Sequence, residues 1–154
     1  MPVGWRIVKS SRAATAFDGE GARLFGGRWN SPGHAAVYTA ENVSLAALEL
    51  LVHLQESSLL ASYSLLPATF PASLVQIVAA SDLPSGWNSW PPPPALRERG
   101  DTWLAAGKSA VLSVPSAVVP AERNYLLNPA HPDFRKVTLG APQRFAFDPR
   151  LGRR

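Results

Sequence analysis

The sequence predicts a compact α+β domain built from short, mixed strands and a few helices. Three observations lead there. The chain has 154 residues, enough for a single domain with a real core. Fifteen of them are proline, about twice the usual share of ~5%, and proline interrupts helices and central strands. Apolar runs are accordingly short, rich in Val, Tyr and Phe, and bounded by Pro, Gly, Ser or Asn, while two stretches carry helical signals.

Taken in order, the expected strands are Trp5–Val8, Ala36–Thr39, Tyr63–Leu66, Leu74–Val78, Ala110–Val114, Ala117–Val119, Val137–Leu139 and Phe145–Phe147. The first helix is expected from Val43 to Gln55, with Asn42 or Ser44 as N-cap. Leu45, Leu48, Glu49 and Val52 share one of its faces. Leu50, Leu51 and Leu54 make the remaining surface apolar, which implies burial on most sides. The second helix is expected over Ala95–Ala106, interrupted at Gly100 and stopped by Gly107. Just before it, "SGWNSWPPPP" (85–94) reads as an ordered loop with Trp87 and Trp90 buried and Pro91–Pro94 extended.

Composition excludes several classes of function. No apolar run approaches the roughly 18–20 residues that span a bilayer, and "MPVGWRIVKS" lacks the pattern of a signal peptide. With no cysteine there is neither a disulfide nor a thiolate zinc site, so a cytoplasmic protein is expected. The net charge is +4, but residues 144–154 hold four arginines against one aspartate. Basicity is therefore mostly a C-terminal tail from about 144, without the aromatic-laced basic patch of a nucleic-acid binder. His34, His53 and His131 have no metal-ligand spacing, so no metal is expected. P-loop, dinucleotide-fold and G-x-S-x-G signatures are absent.

What remains is one expensive residue. An ionised carboxylate at Glu49, among leucines, costs several kcal/mol unless it is paired or hydrogen-bonded. Two readings fit the helix by itself: a structural pair with His53, one turn on, or an active-site carboxylate. The preceding "GARLFGGRWNSPG" (21–33) surrounds Arg23 and Arg28 with glycines that let backbone approach a ligand closely. Tyr38 then leads into the Glu49 helix. Further along, Ser116 follows a proline between valine-rich runs, with Asn124, Asn128 and His131 beyond it. Spacing alone reads that block as strand, loop and strand with turn-forming polar residues.

The blocks "GGRWNSPG" (26–33), "LAALELLVHL" (45–54), "PSAVVP" (115–120) and "NYLLNP" (124–129) resemble the RES-domain family along nearly the whole chain, Trp5 to about Phe147. These are toxin components of bacterial toxin–antitoxin pairs, named for an Arg, a Glu and a Ser, and similar in fold to ADP-ribosyltransferases. The resemblance places the arginine at Arg28, the tyrosine at Tyr38, the glutamate at Glu49 and the serine at Ser116, with Ser113 the alternative. It implies NAD+ as substrate, nicotinamide release, and transfer of ADP-ribose to water or phosphate; a protein acceptor is the other reading. Trp29 and Asn124 are expected to line the pocket with Arg28 and Tyr38. No cofactor beyond NAD+ is implied. The expected partner is a helix-turn-helix antitoxin of the Xre type, which would carry any DNA contact, and the complex leaves room for a toxin homodimer. A non-enzymatic binding module, with Glu49 and His53 merely paired, is the reading from another class.

Overall fold

The computed structural model describes residues 1–153; Arg154, the last of the basic C-terminal residues, lies outside them. Eight strands form one sheet: β1 Val3–Lys9, β2 Val37–Ala40, β3 Tyr63–Thr69, β4 Val75–Ile77, β5 Val111–Pro115, β6 Arg123–Leu127, β7 Thr138–Leu139 and β8 Gln143–Phe145. Their order is β4-β5-β6-β2-β1-β3-β7, with β8 also on β3. Among the described residues only β4 and β5 run parallel; every other pair is antiparallel. Three α-helices among the described residues, α1 Glu20–Phe25, α2 Val43–His53 and α3 Pro94–Ala106, complete the α+β architecture.

α2 begins where the sequence places it, because the Asn42 side chain accepts from Leu45 N at 2.7 Å and satisfies a first-turn donor. Its burial is one-sided: Leu45, Ala46 and Leu51 pack into a cluster with Ile7, Tyr63 and Phe147. Leu48 and Val52 remain exposed, so the apolar surface exceeds what the core covers. α3 runs through Gly100 without interruption. A Cβ there would lie 1.6 Å from the Trp29 carbonyl oxygen, so this glycine marks close backbone packing and not a break. Gly107 ends α3 in the left-handed conformation at φ 63°.

Other expectations shift for local reasons. Ala117–Val119 is a turn, since the amides of Val118 and Val119 bond the Ser116 hydroxyl instead of a neighbouring strand. Arg123–Leu127, too polar at its start to read as a strand, is a central strand paired on both sides, with β2 and β5. Trp90 is exposed and Trp87 only partly buried, contrary to the buried pair expected of that loop. The segment from 144 starts inside β8, and Phe147 anchors it in the core.

The ladder between β1 and β2 is reduced to a single register, Trp5 opposite Ala40. In place of further ladder bonds, Arg6 Nη1 reaches across to Tyr38 O at 3.0 Å. The sheet opens at this seam, and a large cleft lies over it.

Candidate active site

The cleft, about 760 Å³ in volume, is lined by Arg6, Arg28, Tyr38, Glu49, Trp90 and Asn124, among others. Its walls come from β1, β2, β6, α1, α2 and the start of α3, with the glycine-rich segment after α1, the Trp-Pro segment before α3 and the turn after β5. The volume falls in the range of small-ligand sites.

Glu49 is held by two neutral donors. Asn124 Nδ2 donates to Oε1 at 2.8 Å, and Ser116 Oγ donates to Oε2 at 2.9 Å. Ser116 is fully buried. Its oxygen accepts from Val118 N and Val119 N, both at 3.1 Å, so its single proton points to the carboxylate. Asn124 is fixed in turn by Thr39 O at 3.1 Å. Burial pushes the Glu49 carboxyl above its ordinary value; the bonds from Asn124 and Ser116 pull it down, and nearby Glu122 pushes it up again. The net shift is upward.

His53 takes no part in this. It is exposed, and its ring lies 5.6 Å from that of Trp90. The structural pairing of Glu49 with His53 is therefore not what satisfies the carboxylate. Ser113, the alternative serine, is equally remote: it accepts from Arg123 Nε at 2.6 Å inside β5.

Tyr38 organises the glycine-rich loop. Its hydroxyl donates to Asn30 Oδ1 at 2.6 Å and accepts from Trp29 N at 2.9 Å. Asn30, wholly buried, extends the network to Ala22 O and His34 O. Gly27 is required above it, because a Cβ would meet the Tyr38 hydroxyl at 2.6 Å. Burial raises the Tyr38 hydroxyl's pKa, so it stays a neutral donor. What Tyr38 offers the cleft is its ring. Trp29 contributes to the same wall but is 2% exposed, packed with Leu96, Trp103 and Leu126.

Arg28 bridges the two loops. Nη1 donates to Trp87 O at 3.1 Å and Ser89 O at 2.9 Å. Two cleft residues are not evident from the sequence. Arg6 interrupts the apolar strand β1, the one signal that could have marked it, and its Nε is buried without a partner. Arg97, in the first turn of α3, also lines the cleft. Among the described lining residues, three guanidiniums thus face a single carboxylate. Such a cleft suits a ligand that is anionic in one part and develops positive charge in another. Among the described residues no group of three or more His, Cys, Asp or Glu side chains is placed to hold a metal ion.

Comparison with known proteins shows the family and the fold. The RES domain family model matches residues 3–148. "Toxin Res" of Yersinia enterocolitica serotype O:8 / biotype 1B is 44% identical over 148 residues, covering 96% of this chain and 97% of that protein. "Prs ADP-ribosylating toxin" of Sphingobium sp. strain YBL2 is 36% identical over 155 residues, covering 97% and 96% respectively. The crystal structure of the M. tuberculosis MbcT-MbcA toxin-antitoxin complex contains a chain with the same fold. Its TM-score is 0.77 at 20% identity, across 99% of this chain and 87% of that one. The chain belongs to the RES domain family.

Proposed function

We propose that this RES-domain protein is the toxin of a toxin–antitoxin pair and that it degrades NAD+. The single observation that carries the reading is Glu49, a partly buried carboxylate clamped by Ser116 and Asn124 above an arginine-lined cleft. Breaking the nicotinamide–ribose bond sends the bonding pair to the ring nitrogen, which neutralises the pyridinium. Positive charge then develops at the ribose carbon and its ring oxygen. A carboxylate fixed beside that carbon stabilises the charge as it forms, and two neutral donors hold it in place without cancelling its charge. Water or inorganic phosphate then adds to the same carbon to give ADP-ribose or its phosphorylated form. The Tyr38 ring packs against the nicotinamide end, and the arginines receive the phosphates.

The relatives' names, among them two bacterial toxins, support the toxin assignment. The structural neighbour was crystallised as a toxin-antitoxin complex, which supports an antitoxin partner; an Xre-type protein is the proposed one, acting in the cytoplasm. Among the described residues no helix is long and apolar enough to cross a membrane. A second reading, transfer of ADP-ribose to a cellular protein, is favoured by the name of the Sphingobium relative. Purified protein incubated with NAD+, with and without phosphate, tests the first reading through nicotinamide release; an intact pool after long incubation refutes it. Labelled NAD+ added to lysate tests the second, for which a discrete modified protein band is expected.

A further inference from the structure

Two side-chain polar atoms among the described residues are buried without a hydrogen-bond partner, Arg6 Nε and Arg97 Nε, and both belong to arginines lining the cleft. Their situations differ. Arg6 has one anchor, Tyr38 O. Arg28 is committed to Trp87 O and Ser89 O. Arg97 has no acceptor at all among the described residues, although it is only partly exposed. The acid one turn further along α3, Asp101, instead accepts from Ser31 N at 2.9 Å. The ion pairs of the described residues are Arg23–Glu20, Lys136–Asp133 and Arg150–Asp148, and none involves Arg97.

A guanidinium partly withdrawn from water, with its Nε–H buried and unpartnered, is unfavourable until an acceptor arrives. Its planar fork matches a phosphoryl or carboxylate oxyanion. Arg97 and Arg28 line the same cleft, and both lie near enough to the Tyr38 hydroxyl to act on it electrostatically. We propose that Arg97 grips a phosphoryl oxyanion of the substrate, while Arg28 acts mainly as the clamp between the two loops. This rests on the NAD+ reading and refines it by moving the principal phosphate contact from the glycine-rich loop to α3. The oxyanion belongs either to the pyrophosphate of the dinucleotide or to a free phosphate acceptor.

The test uses the full chain and its Arg97→Gln and Arg97→Lys variants, with folding checked by thermal melting. Calorimetric titration with ADP-ribose and, separately, with inorganic phosphate is combined with KM for NAD+ and kcat. With the pyrophosphate as the target, Arg97→Gln weakens ADP-ribose and raises KM for NAD+ by about 10- to 100-fold. In that case kcat changes far less, and lysine restores part of the affinity. Loss of inorganic phosphate binding with ADP-ribose unchanged assigns Arg97 to the acceptor and still supports the proposal. If the wild type binds and turns over its substrates but Arg97→Gln matches it in both titrations, the proposal is overturned and the NAD+ reading stands. A wild type that neither binds ADP-ribose nor cleaves NAD+ overturns both. Should the glutamine variant not fold, Arg97→Met, which keeps the aliphatic stem, supplies the same readouts.

Discussion

Ser116 directs its only hydroxyl proton at Glu49, 2.9 Å from Oε2, because both of its acceptor positions are occupied by the amides of Val118 and Val119. One residue thus shapes the turn after β5 and holds the carboxylate on α2, joining segments 67 positions apart in sequence.

Ser116→Ala removes that proton and takes away the acceptor of the Val118 and Val119 amides. It is expected to destabilise the fold by about 1–3 kcal/mol and to lower NAD+ turnover by about tenfold or more per folded molecule. Ser113→Ala is the control. It frees Arg123 Nε and affects stability, but leaves turnover per folded molecule unchanged. Urea denaturation combined with nicotinamide release separates the two effects.

The Glu49 carboxyl has a raised pKa, driven chiefly by burial. Its folded form therefore binds a proton more tightly than the unfolded chain does. This contribution to stability is fully present below the unfolded value of about 4.3. It is lost as pH rises through the folded pKa. Two consequences follow. Activity, which needs the ionised form, falls with acidification starting above the ordinary carboxylate range. The stability of wild type relative to Glu49→Gln increases over the same interval. A pH series of kcat and of melting temperature for both proteins checks the sign.

Tyr38→Phe deletes a hydroxyl bonded on both sides and leaves Trp29 N and Asn30 Oδ1 without it. A loss of about 1–3 kcal/mol in stability is expected. Because the ring is what faces the cleft, turnover per folded molecule is expected to change by less than about tenfold, the equivalent of 1.4 kcal/mol. Denaturant midpoints and steady-state rates decide it.

Gly100→Ala would ordinarily stabilise a helix by about 1 kcal/mol. Here the new methyl would lie 1.6 Å from Trp29 O. The expected result is instead a loss of about 3 kcal/mol or more, in the range of severe core overpacking. Equilibrium unfolding measures it.

These residues also show which parts of the molecule were legible in the sequence. The Asn42 cap and the Gly107 stop are local signals and appear in the structure as read, whereas the burial of α2 on most sides does not, since Leu48 and Val52 are exposed. Glu49 was legible as an anomaly, since a carboxylate among leucines needs partners, but periodicity suggested His53. The true partners, Ser116 and Asn124, arrive through sheet pairing, which spacing along one helix cannot reveal. Gly100 looked like a breaker because its contact is with backbone 71 residues away. Arg6 and Arg97 were missed for a related reason. A lone arginine in a strand or helix reads as a surface charge until tertiary structure turns it into a cleft.

The most direct test is nicotinamide release from NAD+ by wild type and Glu49→Gln at equal folded concentration. The expected result is that wild type exhausts the NAD+ pool, while the variant melts as a folded protein and is slower by about 10²- to 10³-fold. A folded Glu49→Gln that cleaves NAD+ at the wild-type rate, or a wild type that leaves the pool intact, contradicts the assignment of Glu49 as the catalytic carboxylate of an NAD+-degrading enzyme.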